Sequence, residues 1–190
     1  MSGAENNFVN DLVVLEGSGD AYVTDTANAM VYLVPGDGTA PSVFLRDIEG
    51  WTPNSVNGLT LSVNGIEAFS RGGSSGPSTQ YLLVGLSLRG NSLYRVNVGT
   101  SEVAEVDVSG GNWATNAGID GLRCVDSQCT VLGAVVYLES GSLTRPVLLH
   151  SDDDWASATV LDVDMRAAVG SSRGAMYTTC LLYTSPSPRD

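Results

Sequence analysis

Lysine is absent from the chain: all nine basic residues are arginine, set against 21 acidic residues, and the formal net charge is -12. An anionic chain with no basic stripe repels phosphate backbones, so nucleic acid is not an expected partner. An anionic membrane surface is excluded on the same ground. Charged residues make up only 16% of the chain, where a globular domain usually carries about a quarter. Long hydrophobic runs are missing too. The longest, Val131 to Leu138, is less than half of a membrane span. Cysteine occurs three times without a Cys-x-x-Cys pair, and His150 is the single histidine, so no zinc site is expected. A Ser-His-Asp triad would have to use His150, but no Gly-x-Ser-x-Gly elbow accompanies it. Gly17-Ser-Gly19 and Gly72-Gly73 are followed by no Lys-Ser/Thr, which excludes a phosphate loop. Helical periodicity is nearly absent.

What the chain does have is 22 glycines, 43% hydrophobic residues and short β-rich runs cut by turn residues. Asp11–Leu15, Ala21–Thr24 and Val31–Val34 form a first group. Gly65–Phe69, Tyr81–Gly85, Ser92–Val96 and Val103–Val106 form a second; Gly121–Cys124, Cys129–Leu132, Pro146–Leu149 and Ala158–Leu161 form a third. Glycine and aspartate at the breaks suit tight hairpins. Each group reads as three or four antiparallel strands, and the groups begin about 45–55 residues apart, the period of four-stranded propeller blades. A β-sandwich is the structural alternative, but it would not explain why whole units recur. Ser70–Thr79 is expected to be a mobile surface loop. Residues 180–190, Cys-Leu-Leu-Tyr-Thr-Ser-Pro-Ser-Pro-Arg-Asp, break the pattern and resemble a translated sequencing-adapter tail, so residues 1–179 are expected to carry the fold. Three blades and the start of a fourth fit there, and an open arc leaves sheet faces uncovered. The chain is therefore expected to be a fragment of a longer one.

Several strings carry a family likeness: Phe8 to Asp25, Val63-Asn-Gly-Ile66, Tyr81-Leu-Leu-Val84, Asn91 to Val96, Ile119-Asp-Gly-Leu122 and Leu148 to Trp155. In their order and spacing they resemble the senescence-marker-protein/gluconolactonase/LRE-like family, in its plant and algal branch. The resemblance implies an all-β fold, a partial six-bladed β-propeller. It also implies a divalent cation, usually Ca2+, at the top of the channel, where hydrolase members open lactones or small esters. On this likeness Asn10 matches the Asn-Asp position that borders the substrate. Asn64 matches a metal-ligating Asn-Gly, and Asp120 the metal-ligating Asp-Gly. The near-duplicates Ser55-Val-Asn-Gly and Ser62-Val-Asn-Gly make Asn57 an alternative to Asn64. Asn64 is preferred because it directly precedes the strands leading to Tyr81 and Tyr94. The family's glutamate ligand has no counterpart here and is expected upstream.

Phase is the physical argument for a site. Asn10, Asn64 and Asp120 each open the first strand of a repeat, and in a propeller such positions converge on the channel. Their amide and carboxylate oxygens are hard ligands suited to Ca2+ or Mg2+. A cation there would polarise a lactone carbonyl, with Asp120 as ligand or base. Taken singly, each Asn-Gly or Asp-Gly is an ordinary turn dipeptide, and a non-catalytic propeller that binds a ligand or protein, or an inactive fragment of one, is the alternative function. Cys124 and Cys129 are read as two small buried residues in preference to a cross-strand disulfide. Asp152–Asp154 is read as a solvated loop in preference to a cation cluster. Trp51, Trp113 and Trp155 are expected to fill the joints between repeats.

Overall fold

A computed structural model describes residues 7–56, 59–72, 78–87, 92–110, 117–138 and 144–161. Those residues build an all-β structure. The first sheet is a meander of β1 (Val9–Val14), β2 (Ala21–Asp25), β3 (Met30–Val34) and β4 (Ser42–Leu45). A short hairpin follows, β5 (Asn54–Val56) with β6 (Leu59–Leu61). The second meander is β7 (Val63–Arg71), β8 (Thr79–Leu86), β9 (Leu93–Asn97) and β10 (Val103–Glu105). After β11 (Asp107–Ser109) comes a third, β12 (Ala117–Cys124), β13 (Val131–Leu138), β14 (Thr144–His150) and β15 (Ser157–Leu161). The meanders open at Val9, Val63 and Ala117, two steps of 54 residues, so the repeat read from the sequence is real and regular.

Alternation along β7 and β8 explains how the sheets stack. Ile66, Leu82, Val84 and Leu86 face the first sheet and bury themselves with Tyr22, Val31, Leu45 and Trp51. Phe69 and Leu83 face the third, where they meet Ile119, Leu132, Leu149 and Trp155. The middle sheet is thus buried on both faces, and for that reason Tyr81–Gly85 reads as a near-continuous apolar run instead of an alternating one. Full burial of Leu82, Leu83 and Val84 contributes about 1.5–3 kcal/mol for each side chain. Trp51 and Trp155 sit in the two inter-sheet cores as expected, and Trp113 lies outside the described residues. On the first sheet's other face Leu12, Val14 and Val43 remain exposed, in cross-strand rows with Val23, Tyr32, Ala21 and Val34.

Several features differ from the sequence reading. Strand β11 joins the third sheet parallel to β15, pairing Asp107 with Ser157. The chain therefore leaves the middle sheet at Glu105 and enters its neighbour two residues later, with Val106 buried between them. Ser70, Arg71 and Thr79 belong to strands instead of a loop, and residues 73–77 lie outside the description. Cys124 and Cys129 form a disulfide. Cys124 ends β12 opposite Leu132, so the bond closes the turn between β12 and β13 and does not bridge paired strands. Inside that turn Asp126 accepts the N–H groups of Gln128, Thr130 and Val131 and the Thr130 hydroxyl. These bonds hold its carboxyl down at about 2.

Candidate functional site

Each meander's first strand carries an irregularity at its head. Pairing slips between Val9 and Leu12 in β1, between Val63 and Ile66 in β7, and between Ile119 and Gly121 in β12. One extra residue in one strand of an antiparallel pair is a β-bulge, a device that re-aims side chains. The three bulges hold Asn10-Asp11, Asn64-Gly65 and Asp120, so the phase seen in the sequence is a phase of bulges. First strands also pack side by side, β7 lying between β1 and β12. The approach is close. A Cβ on Gly65 would stand 3.0 Å from the Gly121 Cα and 3.1 Å from the Asp120 carbonyl oxygen, which is why residue 65 has no side chain.

At this crossing Asn64 and Asp120 meet. The Asn64 Nδ2 donates to Asp120 Oδ1 at 3.3 Å and to Ser87 Oγ at 2.7 Å. The Ser87 hydroxyl donates onward to the Ile119 carbonyl at 3.3 Å. Thr24 donates its hydroxyl to the Asn64 main-chain oxygen at 2.7 Å and accepts the Asp11 N–H at 3.1 Å, tying the first bulge to the second. Asn64 is 3% exposed, and its Oδ1 is buried without a hydrogen-bond partner. Asn10 stands apart from this pair. Its side chain is exposed, and its Nδ2 donates to Thr26 Oγ1 at 3.1 Å. Asn57, the alternative ligand, lies outside the described residues. Among the described residues no group of three or more His, Cys, Asp or Glu side chains is placed to hold a metal. The oxygens available at the crossing are an amide and one carboxylate. In kind they fit a hard divalent cation, and the unpartnered Asn64 oxygen is the observation that favours one.

Sequence reasoning passed over two acids that organise the same strands. Asp11 accepts the N–H of its own neighbour Leu12 at 2.9 Å and, across the crossing, that of Ile66 at 3.1 Å. Glu67 repeats the pattern one unit later, accepting the Ala68 N–H at 2.9 Å and the Cys124 N–H at 3.1 Å. Each carboxylate joins its own strand's free edge to the next unit's first strand. The visible signal was an acid beside two of the three bulges, Asp11 within the first and Glu67 directly after the second. Arg123 adds a contact of 3.4 Å to Glu67. A cavity of about 530 Å3 opens beside these groups, lined by Leu12, Val14, Glu67, Gln80 and Arg123 among others.

Burial raises the Glu67 carboxyl above its ordinary 4.5, outweighing the opposing N–H bonds and Arg123, and Asp11 adds to the rise. The folded state therefore binds this proton more tightly than the unfolded chain. Stability consequently falls as pH rises from about 4.5 through the folded titration. Glu67→Gln, which mimics the protonated form, should gain on the parent over that interval. Urea midpoints of both proteins between pH 4 and 8 test this, and a constant gap would refute it.

Other sequence candidates resolve into structure. The Asp152–Asp154 run is not a cluster around one point. Asp152 lies 3.4 Å from His150 Nε2, Asp153 accepts from Ser151 and Ser157, and Asp154 pairs with Arg71 at 2.5 Å. Arg71 lies over the Phe69 ring and Arg95 over Tyr81, the two rings being stacked at 5.1 Å. The Arg95 guanidinium also donates to the Asp154 carbonyl, so this cluster pins the turn before β15 to the middle sheet. The chain matches no protein-family model, no curated protein and no solved structure.

Proposed function

We propose that the three meanders are an arc of a six-bladed β-propeller. We further propose that the chain is part of a gluconolactonase-like hydrolase opening a lactone or small ester where the first strands cross. The 54-residue step and the adjacent first strands support the arc. One observation carries the site: Asn64 and Asp120, 56 positions apart, meet at two bulges, beside a buried amide oxygen that lacks a partner.

Asn64 and Asp120 would hold a divalent cation, Ca2+ by the family likeness, which when bound polarises the substrate carbonyl and acidifies water. The chain's own groups do the remainder. Asp120, half-buried and held by the Asn64 amide, takes a proton from the attacking water as its oxygen adds to the carbonyl carbon. That proton then passes to the ring oxygen as the carbon–oxygen bond breaks. Asn10, with its exposed amide steadied by Thr26, borders the substrate and offers it hydrogen bonds.

A non-catalytic ligand-binding propeller is the second reading, favoured by the donor count, since only one carboxylate and one amide meet there among the described residues. Thermal unfolding with and without Ca2+ and a lactone-opening assay separate the two. Ca2+ at 100 times its Kd should stabilise the protein by about 2.7 kcal/mol, and Asp120→Asn should lose both that gain and turnover. A Ca2+ response without turnover selects the binding module. Neither response, in a folded protein, overturns the site.

A further inference from the structure

We infer that Ser87 is a positioning residue that fixes which way the Asn64 amide faces, an inference that rests on the proposed cation site for its consequence but not for its geometry. An asparagine amide has two chemically different ends, and only the hydrogen-bond network around it says which end lies where. Here the network is directional. The Ile119 carbonyl can only accept, so the Ser87 hydroxyl spends its single proton on it, at 3.3 Å. A lone pair of Ser87 Oγ is then what faces Asn64, and a lone pair calls for an N–H: Nδ2 stands 2.7 Å away. Asp120 makes the same demand from the other side, because a carboxylate also only accepts. Both Asn64 N–H groups are thereby committed, and the carbonyl oxygen is left as the free end.

That oxygen is buried and partnerless, in a residue 3% exposed. Turning the amide over would set its oxygen against the Asp120 carboxylate, oxygen to oxygen. Ser87, itself 3% exposed and held by its main-chain N–H to the Ser62 carbonyl at 2.7 Å, is rigid enough to enforce the choice. The bulge in β12 supplies both ends of the relay, Ile119 through its carbonyl and Asp120 through its side chain. Ser87 touches no substrate. It acts through Asn64, presenting an oxygen to an electron-poor ligand.

Two measurements on the full chain test this. In cation-free protein, NMR should place the Asn64 Nδ2 protons against the Ser87 β protons, and Ser87→Ala, which leaves Asp120 as the remaining acceptor, should loosen that ordering while leaving the amide spectrum otherwise native. Titration with CaCl2 alone should then give a Kd about 10–100-fold weaker in Ser87→Ala, the usual effect of removing a group that orients a ligand. An Asn64 amide turned away from Ser87, or one as well ordered in Ser87→Ala as in the parent, overturns the inference whether or not Ca2+ binds. Equal Kd values in both proteins overturn it as well. If the parent binds no Ca2+ at all, the cation reading falls, and the NMR comparison alone decides the role of Ser87.

Discussion

Trp155→Ala is expected to lower unfolding free energy by about 3–5 kcal/mol, the cost of emptying a large aromatic site in a core that relaxes only partly. Trp155 is 0% exposed and fills the core between the middle and third sheets. Its indole Nε1 donates to the Cys129 carbonyl at 2.7 Å, and its main-chain N–H to Ser151 Oγ at 2.9 Å. The residue also sits at a φ of 64°, in the left-handed region that disfavours side chains with a Cβ. Alanine keeps the Cβ, so the substitution relieves none of this cost. Phenylalanine at the two buried tryptophans separates packing from hydrogen bonding. At position 155 it orphans the Cys129 carbonyl, worth about 1–3 kcal/mol. At position 51 it removes an Nε1 that is buried without a partner, and the loss should be smaller. Urea denaturation of the three variants reads these differences. A Trp155→Ala loss under about 1 kcal/mol would mean that the inter-sheet core does not hold the third meander in place.

Gly85→Ala should be nearly as damaging, and for the opposite reason. A Cβ built there falls 2.4 Å from Ile119 Cγ2 and 2.7 Å from its Cβ. The obstructing side chain is β-branched and 0% exposed, which restricts its χ1, and no rotamer change moves the Ile119 Cβ itself out of the way. Relief must come from separating the middle sheet from the third, at about 1–3 kcal/mol for an overpacked core. Ile119→Ala costs stability alone but makes room for the new methyl. The double variant should therefore lose clearly less than the two single losses together, and strict additivity by urea denaturation would refute the contact. The strain also reaches the candidate site, because Ile119 and Asp120 share one bulge. Gly85→Ala should weaken any Ca2+-induced rise in melting temperature along with the fold.

The meander pattern was legible because its causes are local. Asp20 and the glycines around it stop strands, and alternating or continuous apolar runs declare how many faces are buried. The 54-residue period could be read for the same reason. What escaped depended on partners far along the chain. β11 is three residues, Asp107–Ser109, too short to carry a periodic signal, and it becomes a strand only because β15 lies alongside. The disulfide went the other way from expectation because the turn after Cys124 folds back through Asp126, bringing the two Cα atoms to 4.8 Å. At the candidate site, the meeting of Asn64 and Asp120 could be anticipated from their place in the repeat. The part of Ser87 could not, since a serine at the end of an apolar strand looks like a turn residue until the neighbouring sheet supplies the Ile119 carbonyl. Glu67 was hidden by composition: an acid inside an apolar run reads as an outward-facing residue unless an edge N–H from another strand is known to await it.

The carboxylates of Asp11 and Glu67 also bear on what the protein avoids. A free strand edge is a template on which a stray peptide or another copy can build an extra strand. Along β7 the consecutive outward N–H groups of Ile66 and Ala68 are already taken, one by each acid. The same holds for Leu12 in β1 and Cys124 in β12. An incoming strand would have to displace an acceptor held within 3.1 Å at each of these four positions, and in a chain of net charge -12 it would do so against a line of negative charge. The groups that tie neighbouring first strands together thus also close their inner edges to recruitment.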